Sequence, residues 1–162
     1  MPFTPLHMGP GIALKAVMRS RFSLMVFGCS QIVMDVQPLV VMLTNKGELH
    51  GFTHTYIGAT LLALLSGATG KHLGELGLQI VRAPRYLPIS WRVSFLSSFI
   101  GTYSHILLDS IMHSDIEPFW PLKFTNYLYG VASIDALHIF CLVTAIFGGI
   151  CFYALERFRS NT

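Results

Sequence analysis

Apolar residues crowd into four runs, at about 22–43, 54–70, 93–113 and 134–155, separated by polar stretches that carry most of the charge. Each run is close to the roughly 20 residues that a helix needs to cross a bilayer. The second run is short, and the first contains Asp35 and Pro38. A further helix is predicted over 8–19, with Pro10 in a first-turn position where a missing N–H costs little. At about 1.5 Å per residue it does not reach across a membrane. The pattern therefore predicts a half-length helix that turns back at Met18-Arg19-Ser20-Arg21 and forms a hairpin with the next segment. The expected fold is all-α, a single domain over residues 1–162. It is an integral membrane bundle of four long transmembrane helices plus the short N-terminal half-hairpin helix. No repeat, heptad run or low-complexity tract interrupts it.

Composition supports the membrane assignment. Lys, Arg, Asp and Glu make up 12% of the 162 residues, about half of what soluble domains carry, and the mean hydropathy is +0.57. A soluble globular enzyme and a disordered chain both fit poorly. The cysteines (Cys29, Cys141, Cys151) lie in apolar runs without CxxC spacing, which argues against a disulfide framework or a thiolate metal site. The opening MPFTPLH holds no cation, so no cleavable signal peptide is expected.

The basic excess is explained by topology. Lys15, Arg19, Arg21, Lys71, Arg82, Arg85, Arg92, Arg157 and Arg159 fall on one predicted face, leaving only Lys46 and Lys123 on the other. By the positive-inside rule the crowded face is cytoplasmic. The loop 71–92 then faces inward, and 44–53 and 114–133 face outward. No nucleic-acid partner is expected; the partners are the lipid bilayer and an amphiphilic small molecule. Phe119, Trp120, Tyr127 and Tyr129 in the second outward loop suit an interfacial aromatic belt.

Ionisable groups inside apolar runs cost several kcal/mol unless paired or hydrated. His50 and His54 open the second run, in His50-Gly51-Phe52-Thr53-His54-Thr55, and His105, Asp109 and His113 close the third. Asp35 lies in the outer half of the first run, and His7 precedes the short helix. Residues four apart share a helix face, so His105, Asp109 and His113 form one stripe, and His50 and His54 another if the helix starts early enough. The hairpin brings His7 and Asp35 to the same depth. Imidazoles and carboxylates converging in this way suit a divalent ion. The predicted ligands are His7, Asp35, His50, His54, His105 and Asp109. The ion is zinc, with manganese or iron as alternatives, in one or two copies. His72 reads as a solvated loop residue and His138 as a packing residue.

These elements resemble the membrane-bound, metal-dependent hydrolase-like family, also described as LexA-binding, inner-membrane-associated hydrolases. That family shows an early His, a Pro-Asp-x-Asp element, a His-Arg-Gly-x-Thr-His-Ser element, and a Ser-His-x-x-x-Asp helix leading to Trp-Pro. The matching residues are His7, Asp35, His50 with Gly51-Phe52-Thr53-His54-Thr55, Ser104-His105 with Asp109, and Trp120-Pro121. Met34 stands where the family has its proline, Gln37 where it has its second aspartate, and Met112 where a Thr is common. The Arg of the third element is absent. Loss of the second carboxylate weakens a second metal unless His113 or Asp115 compensates. Nothing in these residues corresponds to LexA binding. The resemblance implies a multi-pass protein of the bacterial inner membrane.

Six candidate ligands exceed the four of a usual zinc site, so either two ions bind or some of the six orient others and act as a base. A metal lowers the pKa of water towards neutrality for attack on phosphorus or carbonyl carbon. Asp35 or Asp109 accepts the proton, and His113 or His50 supplies one to the leaving group. A site near the extracytoplasmic face suits a phosphoester of a lipid-like amphiphile. Two other readings stand beside this hydrolase: a metal or proton transporter, and a non-catalytic structural or regulatory membrane protein.

Overall fold

The computed structural model describes residues 4–160, and no strand occurs among the described residues. Six helices follow one another: α1 (Thr4–Met18), α2 (Leu24–Met34), α3 (Val36–Thr44), α4 (Tyr56–Ile80), α5 (Trp91–Met112) and α6 (Ile134–Ser160). Short 3₁₀ turns lie at Arg19–Arg21, Phe52–His54 and Pro84–Tyr86. The first three residues of MPFTPLH and the side chain of Arg159, counted among the inward cations, lie outside the described residues.

The all-α expectation holds, with two segments long and apolar enough to cross a membrane. They are Leu24–Thr44, 21 residues at mean hydropathy 1.6, and Ile134–Phe158, 25 residues at 2.0. Helices α4 and α5 fall at the predicted second and third runs, but Gly, Ser, Thr and charged residues within them dilute their hydropathy.

Several boundaries differ from the sequence pattern for physical reasons. The first run is two helices, broken at Asp35. Pro38 has no N–H to return to the Met34 carbonyl, and its ring crowds that group. The chain relaxes at Asp35 (φ −80°, ψ −2°), whose N–H bonds back to Ile32 O at 3.1 Å and whose side chain caps neither helix. Helix α1 starts earlier than expected, so His7 lies on it and Pro10 lies inside it rather than in the first turn. Its 15 residues span about 22 Å, still short of a hydrocarbon core. Helix α4 continues past residue 70 to Ile80, making Lys71 and His72 helical rather than loop residues. Lys71 pairs there with Glu75 one turn on, and the His72 ring meets Trp91 edge-on at 5.7 Å, so His72 is not simply solvated.

Small and polar residues share the interior with apolar ones such as Phe22, Phe27 and Ile106, while the outside is largely apolar. Between α4 and α5, Ser98 Oγ donates to Ala63 O at 2.8 Å and Ser94 Oγ to Gly67 O at 2.7 Å. Between α2 and α5, the Ser23 N–H donates to Ser97 Oγ at 2.8 Å. Helix α1 packs on α6 so closely that a Cβ at Gly9 would strike the Cys141 carbonyl, and one at Gly148 would strike the Ala13 backbone. Outward, α6 exposes Ile139, Phe140, Val143, Ile146, Phe147 and Ile150. Small residues at helix contacts with apolar side chains outside are the pattern of helices packed in lipid.

Two of the predicted inward cations, Lys15 and Arg85, meet at one end of the bundle. Lys15 Nζ and the Arg85 guanidinium both lie 4.8 Å from the centre of the Tyr86 ring, and Arg85 pairs with Glu156 of α6 at 3.1 Å. The predicted outward residues Lys46 and Lys123 lie in the segments joining α3 to α4 and α5 to α6.

Candidate metal centre

At the end of the bundle away from those cations, the sequence-predicted ligands converge. His105 and Asp109 lie one turn apart on α5, both wholly buried, and the break between α2 and α3 turns Asp35 towards them. His105 Nε2 is 3.1 Å from Asp109 Oδ2 and 3.3 Å from Asp35 Oδ1. His54 Nε2 is 3.6 Å from Asp109 Oδ2, and His7 Nε2, reaching in from α1, is 3.5 Å from Asp109 Oδ1. His50 and His113 close the cluster with rings 4.3 Å apart.

Some of these residues arrive by routes the helical spacing did not predict. His50 and His54 do not share a helix face, because α4 begins only at Tyr56 and His54 sits in the preceding 3₁₀ turn. Their rings still meet edge-on at 5.0 Å, because the turn folds back on itself. His113 does not extend the α5 stripe. It is the residue after the helix, in extended conformation (φ −119°, ψ 126°). Asn126 holds that helix end, its Nδ2 donating to Ser110 O at 2.9 Å and His113 O at 3.3 Å.

Hydrogen bonds fix which nitrogen each imidazole offers. The Gln31 amide is oriented by donation from Nε2 to Gly101 O, so Oε1 faces His105 Nδ1 at 2.6 Å and must accept a proton from it. The lone pair of His105 is thereby on Nε2, towards the carboxylates. Thr53 Oγ1 gives its only hydrogen to Gln37 Oε1 at 2.6 Å and therefore accepts from His54 Nδ1 at 3.0 Å. His54 Nε2 is left facing Asp109. His50 Nδ1 donates to Asp115 Oδ2 at 2.9 Å, leaving its Nε2 free. Burial pushes the Asp115 carboxyl up, but the bond from His50 and its charge outweigh this and hold it below the ordinary carboxylate value.

The consequence is a set of acceptors facing one another. Both oxygens of Asp35, both of Asp109, and Nε2 of His50, His54, His105 and His113 are buried with no hydrogen-bond partner. Buried polar groups in folded proteins are almost always satisfied, and so many unsatisfied in one place require an explanation. A divalent cation supplies one. A bond length near 2.1 Å gives a tetrahedral ligand–ligand edge of about 3.4 Å, and the contacts to Asp109 and Asp35 run from 3.1 to 3.6 Å. One such ion also balances two carboxylate charges. Two groupings have all donor atoms within 4.8 Å of one another: Asp35, His54, His105 and Asp109, and His50, Asp109 and His113. Asp109 belongs to both, so its two oxygens can bridge a pair of ions. His7 touches Asp109 but stands outside both groupings.

Sequence reasoning missed Gln31 and Thr53, and took Gln37 for a lost ligand when it is the acceptor that orients Thr53 and, through it, His54. Gln31 lies one helical turn before Asp35 (i, i+4), a spacing that would have disclosed it.

Two cavities flank the bundle. One of about 550 Å³ opens at the basic end beside Lys15, Phe22 and Tyr86, away from the cluster. The other, about 490 Å³, reaches the cluster at His50 and is lined by Glu48, Asp115, Glu117, Phe52 and Trp120.

No curated protein and no solved structure matches the chain. Residues 12–160 match the family model described as YdjM inner membrane protein, a description that names a location and no reaction. It agrees with the inner-membrane part of the resemblance carried by the His and Asp elements. With all but its ends covered by that match, the chain belongs to the YdjM inner membrane protein family.

Proposed function

We propose that this protein is a metal-dependent hydrolase embedded in the bacterial inner membrane, acting on a phosphoester of a lipid-like amphiphile. The observation that carries the reading is the buried cluster of carboxylate oxygens and imidazole Nε2 atoms without hydrogen-bond partners. Asp35, His54, His105 and Asp109 hold one divalent ion, zinc or in its place manganese or iron. His50, Asp109 and His113 would hold a second. A bound ion supplies Lewis acidity, polarising a phosphoryl oxygen and acidifying water.

The chain's own groups divide the proton work. Asp109 is wholly buried and shared by both groupings, which suits a ligand, whereas Asp35 belongs to one grouping only, and its second oxygen takes the proton of the attacking water. When only the four-residue grouping is filled, His113, half-buried and outside that grouping, gives a proton to the departing alkoxide as the phosphorus–oxygen bond breaks.

In this reading α2–α3, α4, α5 and α6 are four crossings and α1 is a half-length helix, with the cluster near the extracytoplasmic face. Its support is the length of α4 and α5, 25 and 22 residues, or about 37 and 33 Å, together with their exposed Leu61, Leu64, Leu65, Leu96 and Leu107. The basic end then obeys the positive-inside rule.

Elemental analysis of the detergent-purified protein tests the metal directly, with His105→Ala and Asp109→Ala beside wild type. One or two equivalents of metal are expected in wild type, none in Asp109→Ala, and no more than the ion of the second grouping in His105→Ala, with helical circular dichroism retained. A folded wild type that holds no metal even after addition would overturn the reading and leave the cluster as helix-to-helix hydrogen bonding or a proton path.

A further inference from the structure

We propose that the 490 Å³ cavity beside His50 is an ammonium-binding subsite, so that the amphiphile reaching the cluster carries a cationic amine next to its phosphoester. The phosphoester half of this statement rests on the hydrolase reading; the ammonium half rests on the cavity's own side chains.

Three carboxylates, Glu48, Asp115 and Glu117, line the cavity, and no Lys or Arg does. Asp115 is engaged with His50. Glu48 and Glu117 make no ion pair among the described residues, and both line the cavity. The aromatic walls complete the site. Phe52 and Trp120 meet at 90° with ring centres 6.0 Å apart, and each is nearly half exposed. Two perpendicular rings beside carboxylates make a corner that attracts a quaternary or primary ammonium through the negative ring faces. Phe119, Tyr127 and Tyr129 do not line the cavity, so Trp120 is set apart from the rest of the aromatic belt.

The inner wall points towards the chemistry. His50 is 95% buried, being 5% exposed, and its Nε2 has no partner. Beyond it lies His113, ring against ring. A ligand in this cavity therefore has its far end at the cluster. An acidic mouth repels a dianionic phosphate monoester and concentrates cations. It thus selects against a bare lipid or polyprenyl phosphate. It favours a zwitterionic phosphodiester of an amino alcohol, whose amine meets Glu48, Glu117 and the rings while its phosphoryl group reaches His50.

The test is ligand titration of the full chain in a maltoside detergent, read by Trp120 fluorescence in a Trp91→Phe background. The probes are choline, glycerophosphocholine and inorganic phosphate, with and without zinc. Choline is expected to quench saturably whether or not zinc is present. Losing two charge contacts should weaken it by about tenfold or more in Glu48→Gln/Glu117→Gln, a variant of exposed residues that leaves the fold intact. Glycerophosphocholine should bind more tightly than choline only with zinc loaded, and that gain should vanish in Asp109→Ala. Unsaturable choline, or equal binding by the double variant, would overturn the subsite even if zinc is held. Saturable choline without any zinc-dependent gain would support the subsite and sink the metal reading instead.

Discussion

Three acceptors outside the cluster decide which nitrogen the buried imidazoles turn inward. Gln31 takes the Nδ1 proton of His105, Thr53 that of His54, and Asp115 that of His50. Such partners fix ring orientation and raise ligand basicity, and their removal commonly costs about 10–100-fold in metal affinity. Gln31→Leu and Thr53→Val are therefore expected to weaken metal binding by about 10–100-fold in competition with a chelator, although neither variant removes a ligand or a charge. Gln31→Glu keeps an acceptor at His105 Nδ1 and should stay within a few-fold of wild type. Wild-type affinity in Gln31→Leu would show that the packing around His105, not this bond, sets its orientation. At this scale the sequence disclosed much: all six predicted ligands and His113 lie within the cluster. Missed among the neutral partners were Gln31, which shows only as a neighbour of Asp35 one turn away, and Thr53, whose hydroxyl carries no spacing signature until the helices are packed. Gln37 misled for the same reason. A motif comparison sees a missing carboxylate, whereas the structure uses the amide to hold Thr53 and the Glu48 carbonyl.

At the level of elements, helix ends proved harder to read than helix existence. Hydropathy drops where Lys71 enters, yet α4 continues for ten more residues beyond position 70, because Lys71 and Glu75 pair along the helix and Gly74 packs on Met25 and Val26 of α2. The break at Asp35 was signalled by Pro38, but its effect was visible only once Asp35 was seen to face His105. Helix α1 depends on small residues in a way that can be tested. Its Gly9 lies against the Cys141 backbone, which cannot move aside as a flexible side chain would. Overpacking at such contacts costs about 1–3 kcal/mol, so Gly9→Leu should lower the melting temperature in detergent. Gly149, with open space around it, supplies the control, and Gly149→Leu should melt as wild type does. Because α1 brings only His7 to the cluster, Gly9→Leu should still bind metal through the four-residue grouping. Complete metal loss in a folded Gly9→Leu protein would make His7 an indispensable ligand rather than a neighbour of Asp109.

For the whole molecule, the open choice is between two crossings and four. Among the described residues, only Leu24–Thr44 and Ile134–Phe158 are long and apolar enough to cross by length and hydropathy alone. If they alone crossed, everything from residue 45 to 133 would lie on one side, with the leucines exposed on α4 and α5 facing water. Contiguous apolar surface of that extent is unfavourable in water and favourable in lipid. The α4–α5 contact includes Ser98 on Ala63 and Ser94 on Gly67, small residues and hydroxyls of the kind that join helices in lipid. Four crossings place residues 46 and 123 outside and residues 21 and 82 inside. Single cysteines at these positions, in a background lacking Cys29, Cys141 and Cys151, separate the two arrangements with an impermeant maleimide applied to spheroplasts. Lys46→Cys and Lys123→Cys should react on intact cells, and Arg21→Cys and Arg82→Cys only after lysis. Equal labelling of 46, 82 and 123 from one side would leave α4 and α5 uninserted. The cluster would then sit at the edge of a two-helix anchor, reached from water rather than from the outer leaflet, and its amphiphilic substrate would lose its rationale.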